Sequence, residues 1–377
     1  MCLPAWSDDA VTAATEDILF SLSDPLPTSG THAGFVKIPY ASNQSSYGFL
    51  PVPLAVVGGS VGPTVLLLAG VAGDEMEAQI AAARIVRSLD PEAMKGRVIA
   101  MTMANVLAGH AGTRNSPVDG QSLNKSFPGD LFGSPTSAIA EYIERHLMPE
   151  CDLVIDLHST GRTMRYLSCA TLIDDADPDV QRRRLALARA FNASNIVRFR
   201  SFDYRSTSGA ARRSGATRIG VQAPLDDAMD EILRGFDSVL AWAGIVEKSQ
   251  AAVAPRLLLA HRDHDFVHAM SDGIFEPIAR LGDEAKAGDL AGYIHDLTRP
   301  MAEPVALRLA ADGVVLGTRE AGWVRRGDCV LLLAEDGDLA AREELDEAAD
   351  LRWLTAPNRR TAKPRRKVTS RKYGGGK

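Results

Sequence analysis

Cysteine is scarce, with four in 377 residues at positions 2, 151, 169 and 329. No two stand in a Cys-x-x-Cys spacing, so neither a zinc knuckle nor a dithiol redox motif is indicated, and a reducing compartment fits. Long apolar runs are missing as well. Stretches such as 65–68 (VLLL) fall far short of the ~20 residues a membrane span needs. The N-terminus carries Asp8 and Asp9 in place of a basic start and no long apolar core follows, so no signal peptide is read there. These absences predict a cytoplasmic protein without a membrane partner. Excess positive charge is also lacking. The net charge is −6, which gives the whole chain no pull toward nucleic acid.

The charge that is present is unevenly placed. Residues 352–377 hold ten Lys or Arg and no Asp or Glu, which leaves the rest of a chain of net −6 near −16. That tail reads as a solvated, disordered extension. Elsewhere the balance is globular, 45% apolar and 24% charged, and the length points to two domains.

A short helical pattern over 9–22 and a Pro/Gly/Ser-rich stretch make residues 1–50 an N-terminal extension. From 51 to 252 strand and helix patterns alternate. Residues 64–70 (TVLLLAG), 97–103 (RVIAMTM) and 152–157 (DLVIDL) are continuous apolar runs, as strands buried on both faces require. Between them, 75–89 has helical spacing with Met76, Ile80, Ala83 and Val86 on one stripe. Helices are also read at 137–148, 178–193 and 226–247. The rhythm predicts an α/β domain with a mixed, largely parallel sheet and helices on both faces. After 253 short segments alternate with turns at Asp272-Gly273, Gly282-Asp283, Gly288-Asp289, Asp312-Gly313 and Gly327-Asp328, a small β-domain of hairpins reaching 335. Residues 336–377 are the remainder, an acidic helix (its pattern spans 335–355) and the basic tail.

Ligands of open α/β sheets sit beyond the carboxyl ends of the strands. Three loops leave such ends here: 70–75 (GVAGDE), a long Gly/Pro-rich loop over 105–135, and 157–161 (LHSTG). Loops as long as the second are usually functional. Glu75 and His158 therefore stand where a site belongs, and a carboxylate with an imidazole on two strand ends is a metal-site pattern that zinc usually fills. Glu75 also suits a helix N-terminus on dipole grounds alone, and Asp156 is suited to orienting His158.

The runs AGDEME at 72–77, GTRNSPVDG at 112–120, LNKSFPG at 123–129 and DLHS at 156–159 resemble the aspartoacylase / succinylglutamate desuccinylase family, and within it the N-acetyl-diaminobutyrate deacetylase branch of ectoine degradation. Residues 272–294 resemble the β-domain of the same family. The resemblance runs from about 50 to 335. It implies a zinc carboxypeptidase-like fold with an added C-terminal β-domain, and metal-assisted attack of water on an amide. It further implies zinc held by a His-x-x-Glu pair and a distant His, a Glu general base, an Arg that polarises the scissile carbonyl, and a second Arg after Asn that grips the substrate carboxylate. By resemblance Glu75 and His158 match two metal ligands, Arg114 the polarising arginine, and Asn124 the Asn before the carboxylate fork.

Four positions depart from that pattern. The first metal His is Ala72, the fork Arg is Lys125, the general-base position holds Arg218, and His110 stands where many relatives carry an Arg. Alanine cannot coordinate, and two protein ligands are fewer than the three a catalytic zinc usually keeps. A guanidinium stays protonated and cannot take a proton from water. Zinc is thus expected from the resemblance but weakly bound or absent.

Three readings stay open. The first is a family member that no longer hydrolyses amides and serves as a small-molecule-binding pseudoenzyme. The second is a working N-acyl amino acid deacetylase with a remodelled zinc site using Glu75, His158 and His110. The third is a metal-free function on an anionic ligand held by Arg114, Lys125 and Arg218. All three expect a small anionic or N-acylated amino acid ligand, and homo-oligomerisation stays open. A guanidinium of Arg218 against Glu75 would favour the first or third. An imidazole of His110 beside Glu75 and His158 would favour the second.

Overall fold

The computed structural model describes residues 18–22, 24–159, 161–162, 164–200, 203–223, 228–247 and 253–349. Most of the 9–22 pattern and the whole basic tail lie outside them. The strands that build the main sheet come, in chain order, as β1 (Ile18–Phe20), β2 (Gly30–Pro39), β3 (Phe49–Gly58), β4 (Ser60–Leu68), β5 (Lys95–Met101) and β6 (Leu153–Ser159). Then come the two-residue β7 (Arg165–Tyr166), β8 (Cys169–Ile173), β9 (Asn195–Phe199), β10 (Thr217–Ala223) and β11 (Arg256–Ala260). Helices are α1 (Met76–Ser88), α2 (Val106–Ala111), α3 (Pro135–Tyr142), α4 (Pro178–Ala190), α5 (Thr207–Ser214), α6 (Ala228–Trp242) and α7 (Leu339–Ala349).

The sheet runs β1-β2-β3-β5-β4-β6-β10-β8-β9-β11 and continues into strands of the β-domain. Its centre is parallel: β4 pairs with β5 and β6, and β6 with β10. Antiparallel neighbours enter at β3 and β8. The predicted mixed, largely parallel sheet is what forms. The reason is visible in the buried runs: 65–68 and 153–157 are wholly buried, because helices cover both faces. One face packs under α1, α4, α6 and α7, the other under α2, α3 and the alanines of α5.

Three details differ from the sequence reading. Residues 18–20 are a strand paired in parallel with β2, and β2 and β3 lie in the main sheet, so 18–50 contribute to it. Helix α1 buries Ala78, Ala81, Ala82 and Ile85, while Met76 and Ile80 are exposed. Its small face lies close on the sheet, and the bulkier stripe looks outward. Helix α7 packs on the same core through Ala341, Leu345 and Ala348.

The β-domain pairs Gly273–Pro277 with Leu290–His295 and Gly322–Val324, and Leu290–His295 with Val305–Arg308, all antiparallel. Gly282 and Gly327 take left-handed backbone (φ 84° and 93°) at two of the predicted turns, where a side chain would be strained. The strand Gly313–Thr318 pairs with Cys329–Asp336 and also with β7. The last pairing joins the β-domain to the loop that follows β6. Among the described residues no helix is long and apolar enough to cross a membrane.

Candidate functional site

One cavity of about 310 Å³ gathers the loops that follow β4, β5 and β6 together with side chains of β8, β9 and β10. Glu75, Arg114, Asn124, Lys125, His158 and Arg218 all line it, so the six residues singled out from the sequence converge. His110, in the last turn of α2, is exposed and does not line the cavity. It is not brought beside Glu75 and His158 as a replacement ligand.

Each side chain is placed by its element. Glu75 caps the start of α1 without a side-chain capping bond, so its carboxylate is free to turn inward, where it is buried. Its Oε2 lies 2.9 Å from His158 Nδ1, and its Oε1 lies 3.6 Å from Arg114 Nη1. His158 is two residues beyond Asp156 on β6, so both point to the same face. Its Nε2 is 3.2 Å from Asp156 Oδ2.

Arg218 does not pair with Glu75, so the contact that would have favoured the first or third reading is not formed. Its Nη2 donates to Asp156 Oδ2 at 2.5 Å and its Nη1 to Ser208 Oγ at 2.9 Å. The register explains this. In the β6–β10 pairing Arg218 sits beside Val154, and Gly220 sits beside Asp156. An alternate residue on the same face, Gly220 offers no side chain to block the way, so Arg218 extends across it. A Cβ at 220 would lie 2.5 Å from Thr171 Oγ1 and 3.3 Å from Arg218 Nη2. Asp156, fully buried, is nearer than Glu75 and takes the guanidinium.

Asp156 is thus a hub that the sequence reading gave only an orienting role. Its Oδ2 also accepts from Thr207 Oγ1 at 2.6 Å. Thr207 in turn donates its backbone N–H to Asn124 Oδ1 at 2.9 Å, which engages the Asn124 carbonyl within the protein. Lys125 Nζ pairs with Asp203 Oδ2. Residues 203–208 were not recognised from the sequence as part of the site. Their signal was the Ile196-Val197 run of β9 followed by Ser206, which caps α5 by accepting from Gly209 N. A strand end leading to a capped helix marks a site loop.

The charges alternate along one path: Arg218, Asp156, His158, Glu75, Arg114. Burial disfavours a charged imidazole, but the carboxylates of Asp156 and Glu75 on either side outweigh it and push His158 up to about 10. Asp156 also works against burial. His158 and Arg218 hold its carboxyl well below the usual carboxylate range. As an imidazolium His158 donates from both ring nitrogens and keeps no lone pair.

A pH dependence follows. The raised His158 contributes stability that is complete below its ordinary value of 6.5 and is lost as the pH climbs to about 10. The depressed Asp156 contributes stability that is complete above 3.8 and is lost as the pH falls below it. The denaturation midpoint of the protein should therefore decline between pH 7 and pH 10, and His158→Gln should flatten that limb. An unchanged slope in the variant would rule out His158 as its source.

Among the described residues no group of three or more His, Cys, Asp or Glu side chains is arranged to hold a metal ion. Residues 61–222 match the family model described as the succinylglutamate desuccinylase/aspartoacylase catalytic domain. The chain is 37% identical over 318 residues to the N-alpha-acetyl-L-2,4-diaminobutyric acid deacetylase of Halomonas elongata, covering 81% of this chain and 92% of that one. Among solved structures, a succinylglutamate desuccinylase/aspartoacylase from Rhodobacter sphaeroides superposes with a TM-score of 0.77 at 32% identity, covering 82% of this chain and 96% of that one. The product-bound ectoine utilization protein EutE (DoeB) of Ruegeria pomeroyi gives 0.79 at 31% identity, covering 83% and 98%.

Proposed function

The chain belongs to the succinylglutamate desuccinylase/aspartoacylase family, and from that premise we propose that it is a small-molecule-binding member that has given up amide hydrolysis and holds a small anionic or N-acylated amino acid. The observation that carries this reading is the unbroken charge path from Arg218 through Asp156, His158 and Glu75 to Arg114. Every group that the family resemblance would assign to metal or base chemistry is spent on a neighbour.

The donor set does not fit a catalytic zinc. Two ligands on a tetrahedral zinc, each about 2.0–2.2 Å from it, stand about 3.3–3.5 Å apart. Glu75 and His158 are in direct contact at 2.9 Å. A metal-bound histidine is neutral, whereas two flanking carboxylates favour the imidazolium of His158. Ala72 brings no donor atom, and Arg218 brings a cation to the position of the base. Without a base or a third ligand, no step of water activation is available to the residues that are present.

The same groups suit an anion. Arg114 is half exposed at the cavity and Lys125 is more exposed still, so both can turn to a ligand carboxylate without leaving a buried charge bare. The amide-bearing substrate in the name of the Halomonas relative supports an N-acylated amino acid as the ligand class. The thiols of Cys169 and Cys329 are free, which fits a reducing setting.

The test is metal content and calorimetry on the same preparation. After dialysis against zinc, the purified protein should retain well under one zinc per chain. It should bind N-acetyl-diaminobutyrate and release no acetate from it. One zinc per chain with turnover would restore the working deacetylase in place of this reading. Failure to bind any N-acyl amino acid or small dicarboxylate would remove the binding role.

A further inference from the structure

Beside the charged cavity lies a second one of about 360 Å³. The two share three lining residues, Arg114, Met164 and Tyr166. The second is otherwise built from the β-domain, with Phe266 and Leu332 on its apolar side. Each alone is at the small end of the roughly 300–1,000 Å³ that ligand sites span. We propose that the two form one site, in which the second chamber takes an extended apolar acyl or aryl arm of a ligand whose anionic head lies in the first. This rests on the reading of the first cavity as a site for N-acylated amino acids, and it changes the expected ligand from a short acetyl compound to one with a long arm.

The junction is built for this. Tyr166 sits on β7, whose antiparallel pairing with Gly313–Thr318 places Tyr166 beside Gly317. A Cβ at 317 would lie 3.2 Å from two atoms of the Tyr166 ring. Glycine there lets the ring lie flat on the β-domain strand, where it walls both chambers. Phe266, held opposite Leu332 in the next pairing, remains 39% exposed, an apolar ring at the chamber mouth with little cover. Arg319 also lines the chamber, but its Nη2 donates to the Trp323 carbonyl at 2.9 Å and its Nη1 lies 3.4 Å from Asp328 Oδ2. With that cation engaged, the chamber selects an arm by its apolar surface and not by a terminal charge.

Other features carry less. The ion network of Asp174, Asp175, Arg184 and Arg198 is fully paired within the protein. The groove beside Arg165 and Arg280 shares Arg319 with the second chamber but no residue with the charged cavity.

The experiment compares N-acetyl, N-hexanoyl and N-phenylacetyl forms of one amino acid by calorimetry, with the protein as purified. Four added methylenes that leave water should tighten binding at least about ten-fold. Phe266→Ala should shrink the hexanoyl-to-acetyl ratio, and Cys329→Phe, which adds bulk at another lining position, should bring it close to one. Melting curves of both variants separate a lost subsite from a lost fold. Equal affinity for the three ligands would overturn the arm subsite while leaving the head site standing. If none of the three binds, both the subsite and the proposed function fall. A hexanoyl preference that both folded variants retain would place the arm elsewhere and also overturn the assignment.

Discussion

Replacing Arg218 with methionine should lower the unfolding free energy by about 3–5 kcal/mol. The cause is not the loss of an attraction but the charge left behind. Asp156 is fully buried, and it keeps a depressed pKa only because Arg218 and His158 flank it. Its Oδ1 already finds no partner among the described residues, so the carboxylate has no reserve. Methionine fills much of the same volume beside Gly220, where the guanidinium now lies, which isolates the electrostatic part. Changing both members, Arg218→Met with Asp156→Leu, should recover a large share of the loss, since an apolar pair of similar size often matches a buried ion pair. Recovery should be incomplete, because Thr207 and His158 also lose an acceptor when Asp156 goes. Guanidinium denaturation of the two single variants and the double gives the coupling energy directly. A loss under about 1 kcal/mol for Arg218→Met would mean that water reaches Asp156 and that the charge path is not a closed structure.

That coupling also marks where the sequence stopped being readable. The sheet was legible because its strands are buried on both faces, which leaves uninterrupted apolar runs such as 64–70 and 152–157 with no competing pattern. Glu75 and His158 were legible because both follow strands of an open sheet at their carboxyl ends, whereas Arg114, Asn124, Lys125 and Arg218 came from the family resemblance, and Arg218 lies inside β10. Which cation would meet which carboxylate was not legible. That choice depends on the β6–β10 register, which sets Gly220 beside Asp156, and register is a long-range property that neither strand encodes by itself. The face of α1 was misjudged for a related reason. The apolar stripe through Met76 and Ile80 is the stronger pattern by hydrophobicity, but a helix lying close on a sheet presents its smallest residues to it. The second chamber was invisible for the same cause, since it exists only where β7 docks on a β-domain strand more than 140 residues later in the chain.

Restoring two residues should restore the metal. Ala72→His with Arg218→Glu should convert the protein from one that loses zinc on dialysis to one that retains about one per chain, with affinity raised on the order of 100-fold or more, since even an outer-shell partner carries about 10–100-fold. Residue 72 precedes Glu75 by three, and the Glu75 N–H donates to the Ala72 carbonyl at 3.3 Å. The turn that would present a histidine beside Glu75 is therefore already formed. Removing the Arg218 guanidinium takes a cation from the neighbourhood of a dication, and the new carboxylate adds to its attraction. Zinc would also have to separate Glu75 from His158, and its binding energy offsets the contact that is given up. The variant carries its own internal check. Without zinc, a third carboxylate beside Asp156 should make it less stable than the parent. With zinc at 100 times its dissociation constant, linkage returns about 2.7 kcal/mol. Its melting temperature should consequently fall on adding a chelator, while the parent's should not move. Ala72→His alone, which keeps Arg218 on Asp156, should bind zinc weakly, because the base position still holds a cation. If the double variant gains neither zinc nor a chelator-sensitive melting temperature, the pocket has diverged from its relatives at more than these two positions, and the closed charge path is an adaptation of the whole site.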